Sequence, residues 1–402
     1  MTQQQKERLA QLEAQLGPEL EQISHYIFTH AELGLQEYQS AAFLERYMEQ
    51  QGFSVEKGVC GLETAFLARW GSRGPCIALL AEYDALAGYG PENKDPGHAC
   101  GHNWIAATTA GAAVTLARYC AAEGLEAQIL LVGSPAEETF SSKALLANAG
   151  VFDEVDCAMQ AHLGAFHTVY PWSLALGTRQ LIYTGKAAHA SSQPWEGINA
   201  LDAVRLFFNG VDAMRQQLKP DVRVHGIIQE GGQAANSIPE RASCLFYART
   251  GRKDELQAVL ERLENVARGA ALMTGATLEI RQPELPMDDL VPVPSLQALA
   301  AELLKQEGLE SLTPEQAKAQ FRGSTDVGNV SYVCPTQFME LDPCCGKVFR
   351  AHTQEALELA DAPAYPMLHK AVRILAGIGA EIIQNDALRE ACRREFAAAV
   401  KA

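Results

Sequence analysis

Cys-Ile-Ala-Leu-Leu-Ala, residues 76–81, places six apolar residues in a row directly before Glu82, Tyr83 and Asp84. A run of this length without polar alternation reads as a strand buried on both faces, the pattern of a parallel sheet covered by helices. Gln128–Val132 and Cys157–Gln160 read as further strands of the same kind, and Thr64–Trp70 as another, preceding strand. The spacing of apolar residues predicts helices over Pro18–Ala31, Gln36–Gln51, Asn103–Ala122 and Ser142–Ala149. Strands alternating with helices imply a mainly parallel sheet, and such sheets bind ligands beyond the C-terminal ends of their strands.

That rule can be tested on the polar residues. Glu82 and Asp84 follow the first buried strand, and Gly-His-Ala-Cys-Gly-His-Asn (97–103) lies between the first and the second. Glu137 and Glu138 follow the second, and His162 follows the third. The candidate metal donors therefore share one sheet edge, which a random scatter of polar residues does not produce. Thiolate and imidazole suit zinc and its neighbours, and Gly101 lets the chain turn so that Cys100 and His102 converge. Taken alone, this cluster equally fits a structural zinc knuckle, a thiol nucleophile, or a reduced cysteine beside a capping histidine. A hydrolytic two-metal site needs a few ligands per ion and a carboxylate base. Cys100, His102, Glu138 and His162 supply the ligand types, and Glu137 is the candidate base, because neighbouring glutamates in a turn can point in different directions.

With 402 residues, 48% of them hydrophobic, the chain has material for two domains or more. Its net charge of −16 argues against nucleic acid or an anionic membrane surface as partner and favours a small-molecule substrate. Ten scattered cysteines without framework spacing read as reduced thiols. Residues 1–10 contain no apolar signal segment, and no apolar run approaches the roughly eighteen residues of a membrane span. A soluble, cytoplasmic protein is expected. From about Arg179 the texture changes: Gln180–Thr184, Val222–Ile228, Cys244–Arg249 and Thr277–Arg281 read as strands, with helices over Ile198–Gln217 and Asp254–Met273. This four-strand, two-helix α+β unit looks inserted into the larger α/β one, with boundaries at 1–178, 179–288 and 289–402. A short strand at Gln337–Leu341 and a helical tail over Tyr365–Val400 complete the pattern.

These residues carry a resemblance. Ala-Glu-Tyr-Asp-Ala-Leu (81–86), His-Ala-Cys-Gly-His-Asn (98–103), Ser-Pro-Ala-Glu-Glu (134–138), Ala-His-Leu (161–163), Gly-Lys-Ala-Ala-His-Ala (185–190), Ala-Asn-Ser-Ile-Pro (235–239), Gly-Ser-Thr-Asp-Val-Gly-Asn-Val-Ser (323–331) and Ala-His-Thr (351–353) occur in that order. Over nearly its whole length the chain resembles the co-catalytic metallo-amidohydrolases that include hippurate hydrolase, aminoacylases, indole-acetyl-amino-acid hydrolases and aminobenzoyl-glutamate hydrolase. Its Cys-Gly-His-Asn and Gly-Ser-Thr-Asp forms bring it nearest the aminobenzoyl-glutamate hydrolase and β-alanyl-lysine dipeptidase branch.

The resemblance implies a zinc-exopeptidase-like catalytic domain with an inserted lid and dimerisation domain. It implies two divalent metal ions, zinc or manganese with cobalt or nickel possible, on Cys100, His102, Glu138, His162 and the distant His352. Glu137 would be the general base, with Asp84 orienting the site behind the ligands. His189 would reach the active site of a partner subunit to steady an oxyanion, which implies a homodimer. Asn236 and Arg249 match positions that hold the substrate carboxylate or carbonyl. The implied substrate is an N-acyl or aminoacyl amino acid, aminobenzoyl-glutamate-like or a dipeptide. An N-acetyl-amino-acid deacetylase, a non-catalytic small-molecule-binding homologue and a thiol hydrolase using Cys100 are the competing readings. Three positions depart from the pattern: Glu82 stands where the wider superfamily has a ligand histidine, Ala87 replaces a proline, and Asn103 replaces an aspartate.

Overall fold

The computed structural model describes residues 2–90, 94–320 and 323–401. Its strands are β1 (Ser54–Lys57), β2 (Phe66–Trp70), β3 (Cys76–Ala81), β4 (Gln128–Gly133), β5 (Cys157–Leu163), β6 (Ala175–Thr184), β7 (Arg223–Glu230), β8 (Arg241–Thr250), β9 (Thr277–Arg281) and β10 (Thr336–Leu341). The chain divides into two compact units. One comprises the chain up to Trp172 and from Leu290 on, apart from Gly323–Thr325; the other comprises Ser173–Asp289 with Gly323–Thr325. The divisions fall at 172/173 and 289/290, against 178/179 and 288/289 read from sequence, because β6 begins five residues before the Gln180–Thr184 run.

The first unit is built on a six-stranded sheet in the order β1-β2-β4-β3-β5-β10. β4, β3, β5 and β10 run parallel, whereas β2 is antiparallel to β4 and β1 to β2. All six residues of β3 are buried. Ile77, Leu79 and Ala81 enter one apolar core while Cys76, Ala78 and Leu80 enter another. This period-two division across both faces is the reason a strand here has no polar alternation.

The helix His102–Glu123 is buried over most of its length, which its run of alanines permits, and Trp104 Nε1 donates to the Ala364 carbonyl at 3.1 Å. Two helical features add to the expected pattern. Gln3–Ala14 is a helix, begun by a Thr2/Gln5 capping box; its few apolar positions, Leu9 and Leu12, left no clear periodicity. The tail is two helices, Tyr365–Gln384 and Asp386–Ala399, divided at Asn385, whose side chain caps the second by accepting from Leu388 N–H at 3.0 Å.

The second unit holds an antiparallel sheet in the order β7-β8-β6-β9, with helices Ala200–Arg215 and Lys253–Thr274. Its own core includes Leu181, Tyr183, Phe207, Phe246, Leu260 and Leu263. This is the four-strand, two-helix unit expected from the alternation of short strands with amphipathic helices.

Candidate metal centre

β3 and β4 end level, with Ala81 opposite Gly133, so the segments that follow them leave the sheet side by side. Ser134 fixes this exit by donating to the Ala81 carbonyl from its N–H (2.8 Å) and its hydroxyl (2.9 Å). His162 lies inside β5 rather than after it, opposite Glu340 of β10. Pairing with β10 extends β5 through Leu163, beyond the apolar run that marked it in sequence. Gly101 has φ +81°, and a Cβ there would stand 3.0 Å from Leu163, so both conformation and space demand glycine. The helix begins at once with His102.

Four groups of donor atoms each lie within 4.8 Å of one another: Cys100/His102/His162, Cys100/Glu138/His352, His102/Glu137/Glu138 and Glu82/Glu137/Asp326. The first two share Cys100, and the second and third share Glu138. Two neighbouring ions need overlap of that kind.

Hydrogen bonds set the orientation of each imidazole. His162 Nδ1 donates to the Leu163 carbonyl at 2.6 Å, which leaves Nε2, 3.5 Å from Cys100 Sγ, as the ring atom available to a cation. His102 Nδ1 lies 2.8 Å from Asp84 Oδ1, and the other oxygen of Asp84 accepts the Glu138 N–H at 3.0 Å. His102 Nε2 is then buried with no hydrogen-bond partner, 3.6 Å from Glu82 Oε2 and 3.9 Å from Glu138 Oε1. A buried polar atom is rarely left so, and a cation is the partner that fits this one. His352 has φ +64°, is held by its N–H on the Ala99 carbonyl (2.9 Å), and places Nε2 3.0 Å from Glu138 Oε1.

The charge balance points the same way. Glu82, Asp84, Glu137, Glu138 and Asp326 surround this edge, and Lys143 is the ammonium among them. Burial, together with the carboxylates of Glu82, Glu138 and Asp326, pushes Glu137 well above the usual carboxylate range. Burial and Glu138 likewise push the Cys100 thiol up. Residues in that setting need added positive charge to stay ionised. The donor set and the charge deficit both fit divalent cations.

Two buried groups had no place in the sequence reading. Lys143, fully enclosed, donates to Glu82 and to Asp326 Oδ1 (2.7 Å), and its N–H donates to Asp326 Oδ2 (2.9 Å). Glu82 is thus committed to an ammonium. Glu37, also fully buried, accepts from Thr64 Oγ1 (3.0 Å) and from the Ala136 N–H (2.8 Å). A lone lysine within Ser-Lys-Ala-Leu-Leu, and a glutamate ahead of a helix, give no signal of burial.

Burial, reinforced by the charge of Asp84, raises Glu37 from 4.5 to about 7. The folded value lies above the unfolded one, so stability is lost as pH rises from about 4.5 to about 7, by up to roughly 3 kcal/mol. Glu37→Gln is therefore expected to gain stability over the parent protein at pH 8 relative to their difference at pH 5. Unfolding midpoints in urea at the two pH values check this, and an unchanged difference refutes it.

His98 and Asn103 sit apart from the donor groups. His98 Nε2 lies 3.1 Å from the Ile27 carbonyl and burial lowers it to about 3, so it is neutral. Asn103 Nδ2 donates to Ser24 Oγ (2.9 Å) and the Ala360 carbonyl (2.8 Å), a structural tie. Within the second unit, exposed His189 bridges Ser237, and the Ala190 N–H donates to the Asn236 carbonyl at 3.0 Å. The structure therefore brings His189 and Asn236 to adjacent segments. Arg249 lies on β8, where its Nη1 donates to Ser324 Oγ at 2.9 Å.

Residues 176–272 match the peptidase dimerisation domain of the M20 peptidases. Xaa-Arg dipeptidase of Mus musculus is 34% identical, covering 97% of this chain and 92% of that protein. One of the p-aminobenzoyl-glutamate hydrolase subunits of Escherichia coli K12 is 35% identical over 64% of this chain and 56% of its own length. A dinuclear metal-binding peptidase from the M20 family of Bacillus subtilis superposes with a TM-score of 0.62, at 23% identity, over 90% of this chain and 99% of that one. The chain belongs to the M20 peptidase family and is a hydrolase of amide or peptide bonds. Among the described residues, no helix is long and apolar enough to cross a membrane.

Proposed function

We propose that the protein hydrolyses the amide bond that joins an acyl or aminoacyl group to an amino acid with a free carboxylate. The observation that carries this is the overlap of donor groups around the unpartnered Nε2 of His102. Cys100, His102, Glu138, His162 and His352 would hold two divalent ions, zinc or manganese by donor chemistry, with cobalt or nickel suited to the same atoms. Bound there, such ions polarise the scissile carbonyl and acidify water. Glu137 takes the proton of the attacking water and returns it to the amine nitrogen as the C–N bond breaks. Asp84 holds His102 in the tautomer that leaves Nε2 open.

His189 is assigned to the oxyanion. Its Nδ1 faces the N–H groups of Ser191 and Ser192, each at 3.3 Å, so the neutral ring carries its proton on Nε2 and presents a donor. Action of His189 at the site of a second copy makes the enzyme a homodimer through the second unit. The edge strand β7, with Ile227 and Ile228 62% and 45% exposed, supports an interface there. Asn236 and Arg249 are assigned to the carbonyl and carboxylate of the substrate. Ten unpaired cysteines support a reducing, cytoplasmic location.

The test is a hydrolysis panel on metal-reconstituted enzyme: aminobenzoyl-glutamate, Xaa-Arg dipeptides, β-alanyl-lysine, hippurate and N-acetyl amino acids. Turnover of a dipeptide or aminobenzoyl-glutamate in preference to the acetyl compounds is expected, and no turnover of any would leave a binding protein. Cys100 and His162 also form the pair that a thiol hydrolase requires. The raised thiol disfavours that chemistry. A chelator is expected to abolish activity and added zinc or manganese to restore it, whereas an enzyme indifferent to chelation but killed by iodoacetamide would establish the thiol mechanism.

A further inference from the structure

Ala136, immediately before Glu137, has φ +55°. A left-handed alanine persists only where its surroundings hold it. Three contacts do so here. The Ala136 N–H is bound by the buried carboxylate of Glu37 at 2.8 Å, and its carbonyl accepts from the N–H groups of Phe140 and Ser141, both at 3.0 Å. Gly34 presses on the same turn: a Cβ there would stand 2.9 Å from Ala136 Cβ and 2.4 Å from Thr139 Oγ1. On the far side of Glu137, the Glu138 N–H is bound by Asp84 at 3.0 Å.

The main chain on each side of Glu137 is thus pinned by a buried carboxylate, Glu37 before it and Asp84 after it. Neither comes from the turn itself. Asp84 has a second task on His102, whereas Glu37 also accepts from Thr64, a residue outside the donor groups. We infer that Glu37 is a positioning residue for the reaction: by holding Ala136 left-handed it aims the Glu137 carboxylate at the attacking water. This rests on the reading of Glu137 as base. A carboxylate displaced by about an ångström from the line of proton transfer costs on the order of 10²-fold in rate while leaving the ligands where they are.

The test uses full-length, metal-loaded enzyme and the best substrate of the panel, with kcat, KM and bound metal measured for each variant. Glu37→Ala is expected to lower kcat about 10²-fold with KM and metal content unchanged. Glu37→Gln, which keeps an oxygen to accept the Ala136 N–H, stays within a few-fold of the parent. Ala136→Gly, placed in the Glu37→Ala background, recovers a substantial part of kcat, because glycine needs no help to adopt φ +55°. Glu137→Gln is run alongside. If Glu137→Gln is inactive and Glu37→Ala keeps parental kcat, the positioning role is wrong while the base stands. If Glu137→Gln stays active, the base assignment fails and the inference with it. Loss of metal or of the folded state in both Glu37 variants, unrelieved by Ala136→Gly, would show a purely structural carboxylate and overturn the inference.

Discussion

Replacement of Glu137 by glutamine is expected to lower kcat by about 10³-fold or more, with KM and metal content little altered. The two adjacent glutamates have separate surroundings. Glu138 lies 3.0 Å from His352 Nε2 and has its N–H tied to Asp84, whereas Glu137 groups with Glu82 and Asp326 as well as with His102. Glutamine at 137 preserves volume and removes the proton acceptor, so the step lost is the transfer from water and onward to the leaving nitrogen. The proposed metal ligands, Cys100, His102, Glu138, His162 and His352, are untouched by this substitution. Substitution of Glu138 should behave differently, lowering metal content first and kcat as a consequence. Steady-state kinetics combined with elemental analysis separates the two, and near-parental kcat in Glu137→Gln would remove it from the base role.

The fold was readable where burial leaves a mark on composition. β3 and β4 have continuous apolar runs because both faces are covered, and the runs coincide with the strands to within a residue. β1, whose residues are mostly exposed, pairs only at the sheet's outer edge and left no such trace. The shared sheet edge of Glu82, Asp84, Cys100, His102, Glu137, Glu138 and His162 followed from strand order, without any need for side-chain positions. His352 had no such marker: it comes to the centre through a left-handed residue in a loop, and only the family motif indicated it. Glu37 and Lys143 were invisible for a more general reason. Their roles depend on being enclosed, and one charged residue in a mixed segment carries no record of what the rest of the chain folds over it.

Lys143 offers the largest expected effect on stability. Its ammonium is fully buried, and Glu82 and Asp326 depend on it for their charge compensation. Although burial alone would push Glu82 up, Lys143 first and then His102 and His162 hold it below the usual carboxylate range. Burial already raises Asp326 to about 6 even with Lys143 present. Lys143→Met keeps most of the packing and strands two carboxylates in the interior, which costs roughly 3–5 kcal/mol and a thermal midpoint lower by on the order of 10 °C. The sign with pH follows from linkage. Without Lys143 the folded-state pKa of Asp326 moves further above the unfolded one and Glu82 loses the charge that holds its own pKa down against burial, so the defect is largest well above pH 6 and shrinks as the pH falls and the carboxyls take up protons. Adding Glu82→Gln and Asp326→Asn to Lys143→Met removes the stranded charges and is expected to recover most of the lost stability at pH 8. Thermal melts of the metal-free proteins at pH 5.5 and pH 8 decide the matter. A defect that is the same at both pH values, or that the added substitutions deepen, would mean that Lys143 contributes by packing rather than by charge.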